Sequence, residues 1–336
     1  NKGGINLNTS YETGNGRELR KEYVFLETTP GQGVYTWIDY NKNGVKELNE
    51  FEVAQFTDQA NYIKVLLPTN TYIKAFTNSF TGILAINASQ LIKSENKFAK
   101  WCKKFSNQFA LKIDNKITSN KNGRGYNPFY SAIADTSLII TNNSLRNNLS
   151  YNKSSSVWDA DYLYTKTQAK NLLNSGYEFR TKEIHAINTR VNFSSQFTLV
   201  VKGESISDNN KSEFFTSRNF SLASQQITST FSYQYQSTFN ASLIYLFGNK
   251  TNASELKERA QQNNIGIECR LSGIKKGNLN TQFHFINLKY NGAENTPVAY
   301  EMLEGLRTGI NTTWNVNYQQ NISKSLQITI GYEGRK

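Results

Sequence analysis

The chain has 336 residues, 38% of them hydrophobic and 13% aromatic, too many Tyr and Phe for a disordered tail. With 4 Pro and 1 Met it favours strands over a helical or linker-rich design. No run of ~18 apolar residues occurs, which excludes a transmembrane helix but not a membrane barrel, whose signal is alternation at low mean hydropathy, here -0.59. The formal charge of +12 is dispersed in short pairs such as Lys103-Lys104; without a basic helix or a nucleic-acid motif, nucleic acid is not an expected partner.

Asn1 is not preceded by an initiator Met and opens no basic or apolar targeting region, so the chain reads as a mature or internal segment. Ile5, Leu7, Thr9 and Tyr11 alternate as a first strand, and Glu22 to Leu26 forms a second. A strand-like segment, Val34 to Ile38, then leads into Asp39-Tyr40-Asn41-Lys42-Asn43-Gly44-Val45-Lys46-Glu47-Leu48-Asn49-Glu50. This run fits the twelve-residue calcium-loop pattern. Asp39, Asn41 and Asn43 would offer side-chain oxygens, Val45 its carbonyl, Glu47 a ligand through water and Glu50 a bidentate carboxylate, with Gly44 making the turn. The expectation is structural Ca2+; Asn at two ligand positions lowers the affinity, and no helix enters the loop. The competing reading is an Asn/Gly-rich turn with no metal.

Asn61 to Ile86 contains β-prone runs broken at Pro68-Thr69-Asn70. Lys97 to Lys104 reads as an interfacial segment or a helical turn, and Phe105 to Ile117 alternates again. From about residue 185 the rhythm is regular. Ile187, Thr189, Val191 and Phe193 lead through a tight turn at Ser195-Gln196 to Phe197, Leu199 and Val201. Phe231, Tyr233 and Tyr235 pair in pattern with Phe239, Ala241, Leu243, Tyr245 and Phe247. Ile265, Ile267, Cys269 and Leu271 follow, then Thr281 to Tyr290. The terminal hairpin sets Ile310, Thr312, Trp314, Val316 and Tyr318 against Leu326, Ile328, Ile330 and Tyr332. About sixteen strand candidates result.

The connections alternate in length. Ser237-Thr238, Gly273 to Asn280 and Gln319 to Lys324 are short, whereas Gly248 to Asn264 and Asn291 to Gly305 are long. Short periplasmic turns and longer extracellular loops are the habit of an outer-membrane barrel; Greek-key crossovers would disturb the rhythm. Within one of the long loops, residues 251–262 predict a short extracellular helix capped by Ser254. On this topology the last strand runs outward and leaves an open edge, so a closing strand after Lys336, or a partner strand beside 325–334, is expected.

Chemistry is sparse. His185 and His284 each stand alone, and HExxH, GxSxG, P-loop and CxxC patterns do not occur. An enzyme is therefore not expected, with a barrel hydrolase placing His284 near Ser272 as a remote alternative. Asp159, Asp161 and Glu178 read as solvated loop or lumen groups, and Trp314, Tyr318 and Tyr332 as an interfacial girdle. Cys102 and Cys269 permit one disulfide in an oxidising compartment but no framework; Cys269 shares the parity of the apolar face.

Three segments carry a resemblance: GNGRELRKEYVFLETTPGQGVYTWIDYNKNGVKELNEFEVAQF (14–56), YEMLEGLRTGINTTWNV (300–316) and LQITIGYEGRK (326–336). They resemble a family of large outer-membrane proteins of the Bacteroidota, in which such segments stand toward the C-terminal end of a much longer chain. The resemblance implies a surface barrel with a further β segment after the last run, and brings no catalytic residue. The expected architecture is an all-β, antiparallel, up-and-down transmembrane barrel over residues 1–336. Its expected role is a structural, transport or secretion subunit of a cell-surface complex in the bacterial outer membrane. Its partners would be lipid and lipopolysaccharide, with other outer-membrane proteins or surface lipoproteins. The rival reading is a soluble all-β adhesin or glycan-binding module stabilised by calcium, with a dry core between two sheets.

Overall fold

The computed structural model describes residues 3–118, 125–129, 137–174, 176–254, 257–274, 277–323 and 326–336. Among these residues the architecture is a single antiparallel up-and-down sheet of 15 strands. They are β1 (Ile5–Glu27), β2 (Tyr35–Trp37), β3 (Phe51–Val53), β4 (Tyr62–Asn87), β5 (Phe105–Ile117), β6 (Leu138–Tyr151), β7 (Trp158–Leu173) and β8 (Gly176–Asn192). After them come β9 (Phe197–Ser212), β10 (Phe220–Tyr235), β11 (Phe239–Asn252), β12 (Arg259–Ile274), β13 (Gly277–Tyr290), β14 (Gly309–Asn321) and β15 (Gln327–Arg335). From β4 to β15 each strand pairs with the next in sequence, and β1 lies along β4. The sheet does not close on itself among the described residues, where β15 pairs with β14 and β1 with β4. Among the described residues no helix is long and apolar enough to cross a membrane.

Alternation sets the two faces, because directly opposed residues in an antiparallel ladder share a side. One row runs Val191, Leu199, Phe231, Leu243, Ile267, Phe283 and Trp314 across seven strands. The row beside it on the opposite face reads Thr198, Ser232, Ser242, Glu268, Gln282 and Asn315. The terminal hairpin keeps the register its pattern predicts, with Tyr318 opposite Ile330 and Val316 opposite Tyr332.

Several sequence expectations change in detail. The two N-terminal strands are one, β1, paired along almost all of β4. Pro68 does not break β4, because the register shifts between Leu19 and Lys21 opposite it. The missing proline N–H falls at a bulge, where a ladder tolerates it, and Thr69 Oγ1 donates to the Arg20 carbonyl (2.9 Å). The helix expected over 251–262 does not form: Thr251 and Asn252 end β11, Arg259 opens β12, and Thr251 pairs with Arg259. Glu255 and Leu256 lie outside the described residues. Ladder hydrogen bonds running to Asn252 N and the Glu258 carbonyl (2.8 Å) override a local helix preference that is intrinsically small. Lys97 to Lys104 takes the helical alternative, with α2 (Lys97–Cys102) following the single turn α1 (Ala88–Leu91). Both cysteines are free.

The two rims of the sheet differ. Connections 152–157, 193–196, 236–238, 275–276 and 322–326 share one rim, with 88–104 as its long exception. The other rim carries 28–61, 118–137, 213–219, 253–258 and 291–308, with the brief connection between Leu173 and Gly176.

Candidate functional site

The polar face holds most of the chain's paired charge. Arg190 Nε donates to Asp159 Oδ2 (2.7 Å), Lys116 pairs with Glu18 (2.8 Å), and Lys202 with Glu204 (2.7 Å). Gln226 donates to the same Glu204 (2.6 Å), and Gln282 to Glu268 (3.1 Å). Asp159, Asp208, Asn210, Ser224 and Ser242 are buried here. Of the acids singled out from sequence, Asp159 and Asp161 face β8 near the short-turn rim, while Glu178 sits near the other, accepting from Asn210 Nδ2 (3.2 Å). They do not cluster.

Near the long-loop rim this face is covered by α3 (Pro297–Leu303), a helix inside a connection that reads as a plain loop in sequence. Its signal was Thr296-Pro297: Thr296 caps by accepting from Ala299 N (3.0 Å), and proline suits the first helical position. Glu304, in the left-handed region at φ 56°, ends it. Val298 and Met302 pack on Phe220, Leu222 and Ala260, while Ala299 and Leu303 pack on Ile286 and Leu288. Arg180 ties it to the wall by donating to Asp208 (2.8 and 3.0 Å) and to Glu301 (3.2 and 3.3 Å). Lys250 donates to Glu304 (2.5 Å). A cleft of about 370 Å³ lies beside it, lined by Glu178, Arg180, Asn210, Arg218, Tyr300 and Glu301. Arg180 and Glu301 escaped the sequence reading because they lie 121 residues apart.

The histidines do not share a site. His185 shares a hydrogen bond with the Tyr162 hydroxyl (2.8 Å) on the apolar side, and His284 with Asn264 Oδ1 (3.1 Å) on the polar side. Ser272 lies about 20 Å along β12 from Gly266, which faces His284. The remote hydrolase pairing of His284 with Ser272 is therefore not formed.

The 39–50 loop projects from the long-loop rim on a small platform. β2 pairs with β3, Ile38 N donates to the Glu50 carbonyl (2.9 Å), and Phe51 stacks on Phe25 (4.0 Å between centroids). Inside the loop Gly44 N and Asn43 N donate to the two Asp39 oxygens (2.9 and 3.2 Å). Asn41 Oδ1 accepts from Asn43 N (3.0 Å), and Asn43 Oδ1 from Val45 N (2.6 Å). Glu47 accepts from the amides of Asn41 (3.1 Å) and Asn43 (3.4 Å). Gly44 has φ 70°, a backbone conformation that favours glycine. Tyr40 braces the loop by donating to Glu52 (2.6 Å), which pushes its phenol above the ordinary range. Asp39, Asn41, Asn43, Glu47 and Glu50 are thus drawn into one connected turn. Among the described residues no three His, Cys, Asp or Glu side chains form a metal cluster by themselves. Any cation here would depend on the amide and carbonyl oxygens as well. No family model matches the chain, and no curated protein matches it significantly.

Proposed function

We propose that the chain is an integral outer-membrane β-wall, part of a barrel whose apolar face meets lipid and whose polar face lines an aqueous interior. It would serve as a structural, transport or secretion subunit of a cell-surface complex. The observation carrying this reading is an inversion of burial. Large apolar side chains on one face stay exposed, Ile187 at 59% and Ile267 at 52%, while polar groups on the other are buried. In water such a face costs about 25 cal/mol per Å² of apolar surface; in lipid the cost vanishes. The apolar run Ile227 to Tyr235 covers roughly 27 Å of strand, a little over 20 Å of height at the usual tilt, close to the ~25 Å band of such barrels. Aromatic pairs along the short-turn rim, Phe105–Tyr151 (4.9 Å), Tyr151–Trp158 (5.4 Å) and Phe197–Tyr233 (5.0 Å), fit an interfacial girdle. The resemblance of segments 14–56, 300–316 and 326–336 points the same way.

The soluble adhesin would need a second sheet over the apolar face, whereas the strands form one sheet. The test compares two neighbouring arginine substitutions on opposite faces, Leu243→Arg and Thr230→Arg, in the full chain expressed in bacteria. Leu243→Arg is expected to abolish detergent-extractable incorporation into outer membranes, and Thr230→Arg to preserve it. Equal behaviour of both variants, with a folded chain monodisperse in detergent-free buffer, would refute the reading.

A further inference from the structure

We infer that residues 39–50 bind Ca2+, and that Glu50 is the ligand which fixes the ion to the β2–β3 platform. The connected turn alone would not support this, because Asn, Asp and Gly build such turns without metal. The second observation is Glu50 itself. Its residue is 1% exposed, and its Oε1 is buried with no hydrogen-bond partner. The other oxygen, Oε2, accepts from Trp37 Nε1 (3.0 Å) and from Glu47 N (3.4 Å). The carboxylate therefore folds back onto the loop's own closing turn, not away toward solvent.

Leaving one oxygen of a buried carboxylate without a donor or a cation costs several kcal/mol. The twelfth position of a calcium loop places a carboxylate there for a purpose: both oxygens bind the ion. Asp39, Asn41, Asn43, the Val45 carbonyl and Glu47 supply the remaining hard oxygens, about seven with Glu50, which suits Ca2+ better than the strict octahedron of Mg2+. Lys46 does not neutralise the set, since its ammonium is engaged by Glu27 (2.9 Å) and lies over the Tyr62 ring (5.0 Å). With two neutral Asn ligands the affinity falls in the range of roughly 10⁻⁴ to 10⁻³ M found for extracellular modules. The site's consequence is mechanical: it would tie the exposed half of the loop to Glu50 and, through Phe51 and Phe25, to the end of β1.

Trp37 gives the site its own reporter, because its indole nitrogen touches a ligand oxygen. The full chain, stripped with chelator, is titrated with Tb3+ under tryptophan excitation, then with Ca2+ in calorimetry. Expected are sensitised Tb3+ emission displaced by Ca2+ but not by equal Mg2+, its loss in Trp37→Phe, and at least a tenfold weaker Ca2+ affinity in Glu50→Gln. Asp39→Asn, a change at a half-buried loop position outside the β2–β3 ladder, gives the same weakening should Glu50→Gln fail to fold. Absence of Ca2+ heat at millimolar concentration, emission that survives Trp37→Phe, or an Asp39→Asn affinity equal to wild type would each overturn the assignment.

Discussion

Arg180 on β8 and Glu301 on α3 share two hydrogen bonds, at 3.2 and 3.3 Å, across the polar face of the sheet. The same guanidinium grips Asp208 on β9, so one side chain joins two wall strands to the helix that covers them. The two carboxylates are not equivalent. Asp208 is buried, whereas Glu301 is partly solvated. Glu301→Ala should therefore cost about 1 kcal/mol or less, while Arg180→Ala, which leaves the buried Asp208 only its longer contact with Lys182 (3.8 Å), should cost roughly 1.5–3 kcal/mol. Hydrogen exchange over 297–303 checks this, with Arg180→Ala raising exchange there more than Glu301→Ala.

A close approach governs the centre of the sheet. A Cβ on Gly266 would stand 2.4 Å from His284 Nδ1, the atom bonded to Asn264. Gly266→Ala must push the imidazole aside and break that bond, so a loss of roughly 1–3 kcal/mol is expected. In a His284→Ala background the same glycine substitution should cost a few tenths of that. Thermal melts of the two single variants and the double variant measure the coupling; additive losses would show that the contact is not responsible.

The membrane reading also sets a depth profile. Ile267 lies in the middle of the apolar run, whereas Thr251, next to last in β11, stands at the long-loop rim on the same face. Arginine on a lipid face costs roughly 2–4 kcal/mol at the midplane and 0–1 near the interface. Ile267→Arg should therefore lower folding stability in bilayers well below Thr251→Arg. Urea titration in liposomes gives the comparison, and equal losses would contradict a lipid contact at Ile267.

Period-two alternation made the terminal hairpin, the 197–235 strands and the parity of Cys269 legible, because a ladder preserves face from strand to strand. It could not show that Ile5 to Leu26 is one strand, since Thr13 to Arg20 has no apolar alternation and is held by its long partner β4. Nor could local propensity at 251–262 foresee a ladder that continues to the turn. The calcium-like loop was legible as residue types at fixed spacing. The burial of Glu50 was not, because it depends on Trp37 meeting Phe51 across β2 and β3.

That junction yields the sharpest prediction for the loop. Gly33 passes so close to the start of β4 that a Cβ would lie 2.6 Å from the Ala60 carbonyl oxygen, 2.6 Å from Tyr62 N and 2.7 Å from its oxygen. All three are backbone atoms, which cannot rotate away. Gly33 N also donates to the Ala60 carbonyl (2.8 Å), and Val34 N to that of Tyr62 (2.9 Å). Gly33→Ala should therefore detach the platform from β4, whereas Gly44→Ala, with open space around it, bears only the ~1 kcal/mol penalty of a positive φ. Limited proteolysis would report cleavage within 28–61 for Gly33→Ala at protease levels that spare Gly44→Ala. The strands from β5 to β15 should stay protected in both, because their ladders do not depend on the platform. Global loss of protection in Gly33→Ala would mean instead that the β1–β4 hairpin and the rest of the wall unfold as one unit.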